Sequence, residues 1–343
     1  MASRVMPDAD AIFATENRPM KYRLALVLLL LALPAQAQAQ TQTQTQTQTQ
    51  TQGDWIPTET VEVQAQPGPA VWHLTRGDSE VWILGTVGAM PSDLNWNRKY
   101  LSELLDGARA IMMPPRPSIG LVEGAWFLLT NGSKLSLPRG QTLEGGLPED
   151  LRKRFIAART AIGRDENRYK TDTPIRAAIR LQTDFQDKTK IYGYEPAATI
   201  RNLAGAKHVP VAPIAKYELL DTAKAVLNLG LAQQQVCLGQ AVDDVERMSG
   251  HATAAARAWA VGDVKTVEQN YAESRLYDCV SAAVQPAADL YERNAVDTVT
   301  TIDAALNRPG KTIMVVGIGP LLRKGGILQR LQSMHIAIEG PAE

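Results

Sequence analysis

Three stretches of different polarity divide the chain. Residues 24–33 (LALVLLLLAL) are an unbroken apolar run of ten, residues 41–52 are six Thr-Gln repeats, and from Trp55 onward short apolar runs alternate with long amphipathic ones. The third stretch carries the fold. Within it, residues 70–74 (AVWHL) and 80–86 (EVWILGT) are rich in β-branched and aromatic side chains that suit a pleated, half-buried surface. The intervening Thr75-Arg76-Gly77-Asp78-Ser79 predicts a hairpin turn, and an adhesive reading of Arg-Gly-Asp is set aside for that reason. Residues 108–113 (ARAIMM) predict a third strand, stopped by Pro114-Pro115.

The middle of the chain is helical in its spacing. Residues 147–186 read as helical, with Pro148-Glu149-Asp150 placing proline and acids in one first turn and Thr173-Pro174 opening another helix through Ile175, Ile179 and Leu181. Residues 208–214 are strand-like, and their prolines predict an edge position or a strand end. Residues 218–307 are alanine-rich and helical, with Leu238, Val242, Val245 and Met248 spaced for one buried face.

At the C-terminus, residues 312–316 (TIMVV) predict a fully buried strand and Gly317-Ile318-Gly319-Pro320 a tight turn. Leu321, Leu328 and Leu331 mark a helix, and residues 335–339 a closing strand. Strand, glycine turn, helix and strand favour parallel pairing. The same order occurs over residues 81–84, Gly85-Thr86-Val87-Gly88, 97–105 and 111–113. The expected fold is therefore α/β: a mixed sheet with two βα-type units in a pseudo-repeat and a large helical insert, forming one domain over residues 55–343.

The N-terminal polarity pattern is that of an export signal. Met20-Lys21-Tyr22-Arg23 is cationic, the ten apolar residues follow, Pro34 breaks the helix, and Ala35-Gln36-Ala37 has the small-x-small form of a cleavage site. Ten apolar residues are too few to span a bilayer, so no permanent membrane span is expected after cleavage. Residues 1–37 are read as a signal peptide, with Met20 an alternative start, and no cysteine near Ala37 invites lipidation. Residues 38–54 are read as a Thr-Gln-rich disordered linker, since such a tract cannot offset the entropy of its own ordering. A secreted, periplasmic protein is the expectation. In that oxidising compartment Cys237 and Cys279 are the only partners available to each other; the competing reading is two buried thiols.

Composition narrows the function. With 36 Lys+Arg against 36 Asp+Glu, the chain has no basic field with which to engage nucleic acid. Two cysteines exclude a zinc ribbon or a disulfide-dense scaffold, and four histidines suffice for a metal site only if they stand in the right places.

Several segments in order resemble the TraB/GumN family, whose relatives include the Tiki metalloproteases. They are the 71–86 hairpin with its glycine turn and Met90-Pro91, the Thr173-Pro174-Ile175-Arg176 helix start, Ala258-Trp259-Ala260-Val261-Gly262-Asp263, Glu292-Arg293-Asn294, and Val315-Val316-Gly317-Ile318-Gly319-Pro320. The resemblance implies a divalent-metal hydrolase built on two Gly-x-x-His motifs, one after each repeated strand, with a glutamate on the strand after the first. Histidines at the C-terminal lip of an open sheet project into its ligand crevice, where with a carboxylate they can hold a metal and activate water.

This chain departs from that pattern at each such position. Gly88 and Pro320 stand where the histidines belong. Ile111-Met112-Met113-Pro114-Pro115 carries no glutamate, nor does Val211-Ala212-Pro213-Ile214-Ala215, where the family has a further one. Neither Gly nor Pro has a ligating side chain. His73, His208, His251 and His335 show no metal-ligand spacing, and of these His73 and His208 are the pair to test for convergence. Gly317-Ile318-Gly319 is short of a dinucleotide fingerprint, and Ser249 and Ser281 lack a nucleophile-elbow context.

The expectation is thus a catalytically degenerate family member, with no catalytic residue, metal or cofactor assigned. Its vestigial crevice would comprise Thr86, Gly88, Arg293, Asn294, Gly317 and Pro320, with Arg293 and Asn294 equally open to a packing role. The expected partner is an unidentified ligand or envelope protein. The alternatives are an active hydrolase with a relocated site, through His73, His208 or acids in the crevice, and an accessory protein of exopolysaccharide or envelope biology.

Overall fold

The computed structural model describes residues 68–192, 195–271 and 273–341. The signal region, the alternative start at Met20 and the 38–54 linker lie outside the described residues.

The strands are β1 (Val71–Arg76), β2 (Ser79–Thr86), β3 (Met90–Pro91), β4 (Ala108–Met113), β5 (Arg116–Ser118), β6 (Ile191–Tyr192), β7 (Val211–Pro213), β8 (Lys216–Glu218), β9 (Gly310–Gly317) and β10 (Ile338–Glu339). Six of them form one mixed sheet in the order β10-β1-β2-β9-β4-β7. β1 and β2 make the expected hairpin, with Gly77 at φ 56° in the first position of a two-residue loop, which suits the twist of the strands it joins. β2, β9, β4 and β7 run parallel. β9 takes the centre because residues 312–316 are buried on both faces, so it needs a strand on each side and cover above and below. β7 is the edge strand its prolines predicted.

The helices are α1 (Arg98–Leu104), α2 (Leu121–Asn131), α3 (Leu143–Gly146), α4 (Glu149–Ala161), α5 (Pro174–Thr189), α6 (Glu195–Ala206) and α7 (Leu220–Leu227) in the first part of the chain. After them come α8 (Leu231–Ala260), α9 (Val264–Asn270), α10 (Arg275–Ala283), α11 (Gln285–Leu306), α12 (Ile318–Leu322) and α13 (Ile327–Ser333). Apolar residues of α1, α6, α11 and α13 pack with the sheet in one core. A second core, with Phe155, Leu181, Leu238 and Val242, belongs to the helical insert. The 30-residue α8 joins them: Leu238 and Val242 lie in the insert core, Ala256 and Trp259 in the sheet core.

Two expectations need correction. Residues 317–320 are not a tight turn; Gly317 has φ −62° and β9 runs straight into α12, a break at Arg323 separating it from α13. β10 does not pair with β9 but with β1, antiparallel, so the C-terminal crossover passes over two strands. The two repeated units are instead neighbours through β2 and β9. The 147–186 segment forms the two expected helices, α4 and α5, separated by a 3₁₀ turn over Glu166–Arg168 that Asp165 caps.

Candidate active-site crevice

The parallel register of β2 and β9 sets Thr86 opposite Gly317, so the two motif segments start from neighbouring strand ends at the C-terminal end of the sheet. Thr86 Oγ1 donates to the Val316 carbonyl at 3.2 Å and ties the strand ends together. Beyond them a cavity of about 360 Å³ opens between the sheet end and the middle of α8. Gly88, Asn294 and Pro320 line it, while Thr86, Gly317 and Arg293 are not among its lining residues. Arg293 instead places its guanidinium 5.0 Å from the Tyr217 ring centroid. Tyr217 donates to Asp297 at 2.9 Å, and burial, with that carboxylate, pushes its phenol pKa well up. Arg293 is therefore in a packing role, away from the cavity.

The end of α8 holds the first turn in place. Trp259 is fully buried, and its Nε1 donates to the Gly85 carbonyl at 2.6 Å. Gly262, at φ 80°, then lets the chain leave α8 in the left-handed region. The Asp263 carboxylate accepts from the Thr266 amide and caps α9. The Trp-x-x-Gly-Asp segment is thus a clasp between α8 and the β2 lip. A second close approach fixes the other lip: a side chain on Gly319 would come within 2.6 Å of the Tyr271 ring.

The cavity wall mixes apolar side chains, among them Phe185, Val245 and Met248, with polar groups that are largely self-satisfied. Asp244, fully buried on α8, accepts from Gln182 at 2.9 Å, Ser274 at 2.9 Å and the amides of Arg275 and Leu276 at 2.9 and 3.1 Å. It is a tether for the start of α10. Arg323 bonds Glu273 at 2.5 Å and lies 4.3 Å from the Tyr291 ring centroid. The Tyr291 hydroxyl is buried with no hydrogen-bond partner among the described residues. Burial raises the pKa of Tyr271 and of Tyr277, so both wall phenols stay protonated at neutral pH. Such a wall offers hydroxyls, amides, aromatic faces and one guanidinium to a polar ligand.

Residues 70–340 match the family model described as TraB/PrgY/gumN. The chain belongs to the TraB/PrgY/gumN family. No curated protein and no solved structure matches it.

The divalent metal that the family resemblance implies does not fit the donor set here. Gly88 and Pro320, both lining the cavity, have no ligating side-chain atom to offer. Among the described residues no three His, Cys, Asp or Glu side chains group so as to hold a metal ion. His73 stacks on Trp82 at 3.9 Å between Glu80 and Glu339, at 3.2 and 3.1 Å. Exposed His208 leads into β7, four strand positions from β1, roughly 19 Å away, so the two do not converge. His251 is exposed on α8, and His335 is exposed at φ 59° after α13. Cys237 and Cys279 are at disulfide distance, Sγ to Sγ 2.09 Å, within the insert core.

Sequence reasoning did not single out Asp244, Tyr271, Tyr291 or Arg323. Only Asp244 left a signal: it falls on the apolar face shared by Ala241, Val245 and Met248, where a carboxylate must find partners. The others reach the cavity from three separate segments with no common period.

Proposed function

We propose that this TraB/PrgY/gumN protein is an exported, catalytically degenerate family member that binds a polar ligand or an envelope partner in the crevice. The observation carrying this reading is that Gly88 and Pro320 both line the cavity at the positions where the resemblance calls for histidine. The wall supports binding rather than turnover. Its one buried carboxylate is already bonded by four donors, and the Arg323–Glu273 pair neutralises itself. The cationic-apolar-small pattern over residues 20–37 supports export, and the paired cysteines suit an oxidising compartment.

Metal content and affinity of the purified protein test the reading. It predicts sub-stoichiometric Zn²⁺, Mn²⁺ and Co²⁺ after mild chelation and no tight rebinding by calorimetry. Stoichiometric, tight binding of any of the three, abolished by substitutions along the crevice, would sink it.

A further inference from the structure

Among the described residues, α2 is a helix that turns its apolar side chains outward. Of its eleven residues only Glu123 is charged, and none is buried. At 100° per residue, Leu128, Leu121, Ala125, Leu129, Val122 and Trp126 succeed one another round an arc of about 160°. Val122 is 79% exposed, Trp126 67% and Leu129 81%. The half-buried residues that hold the helix to the domain, Gly124, Phe127 and Asn131, lie on the opposite side. A surface helix ordinarily rests its apolar arc on the core, so this orientation is reversed, and an outward apolar area of this size marks an interaction site.

The mounting of α2 is firm. β5 and β8 pair in parallel, following β4 and β7 in the chain, and α2 follows β5. The amides of Arg116 and Leu219 cross between the two strands to Ala215 and Ser118. α2 is therefore carried beyond the C-terminal end of the parallel strands, the end at which the crevice opens.

Shape and charge indicate the occupant. A protein groove takes a helix by a narrower stripe at i, i+3, i+4 and i+7 spacing, whereas a 160° aliphatic arc suits a medium that closes round the helix. Trp126 stands at the edge of the arc next to Thr130 and Glu123, where an indole sits well at a lipid–water boundary. Across residues 114–141, exposed Arg116, Lys134 and Arg139 face the single acid Glu123, a charge bias complementary to anionic headgroups. Eleven residues make a helix about 16 Å long, which lies in the interface rather than crossing it; among the described residues no helix is long and apolar enough to cross a membrane.

We propose that α2 is an interfacial membrane anchor that seats its apolar arc in a bilayer bearing anionic lipid. This inference does not depend on the binding role given to the crevice. The test uses the full chain with Leu129→Cys carrying an environment-sensitive nitrobenzoxadiazole label, Cys237 and Cys279 being paired. Because residues 24–33 can themselves enter lipid, the readout is the label and not sedimentation. Vesicles of phosphatidylcholine with phosphatidylglycerol should shift the emission to the blue and shield it from iodide, more than phosphatidylcholine alone. Adding Val122→Glu and Leu128→Glu should weaken half-saturation at least about tenfold, with the circular dichroism unchanged. A label that stays in water on vesicle-bound protein would overturn the proposal. So would a blue shift without vesicles, whether it grows with protein concentration, marking a second copy, or vanishes on deleting residues 24–33, marking the chain's own N-terminal segment.

Discussion

Trp259→Phe isolates the clasp that holds the first motif turn. Phenylalanine keeps an aromatic ring in the sheet core but removes Nε1, leaving the Gly85 carbonyl without its 2.6 Å donor in a buried setting. An unsatisfied buried carbonyl costs about 1–3 kcal/mol. The smaller ring also leaves a void of roughly 40 Å³ beside Trp96, whose ring centroid lies 5.2 Å away, adding about 1 kcal/mol. The expected loss is about 2–4 kcal/mol, which at an m-value of about 2 kcal/mol/M moves a urea midpoint down by about 1–2 M. Trp126→Phe is the matched control, since Trp126 is 67% exposed and its loss should stay within about 0.5 kcal/mol. Far-ultraviolet circular dichroism during urea unfolding reads both, and faster amide exchange across residues 85–88 should accompany the Trp259 change alone. If the two variants unfold together, the indole is filling space and the clasp is not what positions the β2 lip.

Three further outcomes are expected. Gly88→His with Pro320→His should fold, because a side-chain Cβ at Gly88 meets nothing within 4 Å, yet show no hydrolysis, since the strand at residues 111–115 still lacks its acid; turnover by this variant would show that a crevice carboxylate suffices. Cys237→Ser with Cys279→Ser opens a loop with a sequence separation of 42, costing about 2–4 kcal/mol in calorimetry of the insert, less than the chain-entropy maximum because α8 and α10 already pack; a cost under about 1 kcal/mol contradicts this. Asp184 is fully buried; burial alone would raise its pKa, but hydrogen bonds from Arg168 and Tyr169 and the charges of Arg168 and Arg164 prevail and hold it low. Its contribution is therefore complete above the unfolded-chain value near 3.9 and is lost as pH falls through the lower folded value. Acid unfolding of the wild type should steepen below about pH 4, and Asp184→Asn should flatten that fall while costing about 2–4 kcal/mol at neutral pH; an unchanged acid profile would remove Asp184 from the account.

Local rules carried the fold a long way and then stopped at neighbour relations. The hairpin, β4, the Thr173-Pro174 start of α5 and the buried face of α8 follow from alternation, 3.6-residue spacing and the placement of Gly and Pro. The position of β9 between β2 and β4 does not: a strand apolar on both faces announces burial but not its flanking partners. The same limit separates Arg293 from Asn294. Consecutive helical residues point 100° apart, so two adjacent candidates need not both face the cavity, and spacing alone does not say which does. Sequence read the missing ligands from Gly88 and Pro320, whereas the wall around them comes from α5, α8, α10, α11 and α12 and from residues beside α9 and α10, brought together by packing over long sequence separations.

The contacts that support the crevice do not draw on a side chain at Gly88, where a Cβ would meet nothing within 4 Å. Trp259 grips the Gly85 carbonyl, Gly319 admits Tyr271, Thr86 bonds Val316, and Asp244 secures the start of α10. Each contact is backbone-directed or a packing contact, and none needs a metal to bring its partners together. A histidine added at Gly88 would project into open space and contribute chemistry without holding structure. The residue at position 88 therefore matters little to the scaffold, whereas substituting Trp259 or Gly319 would close or misplace the cavity. The Tyr291 hydroxyl is buried at the edge of the cavity with no partner among the described residues. A ligand oxygen or nitrogen that bonds this hydroxyl makes Tyr291→Phe weaken ligand binding while leaving stability unchanged or raised, since the substitution removes a polar atom that no described residue pairs.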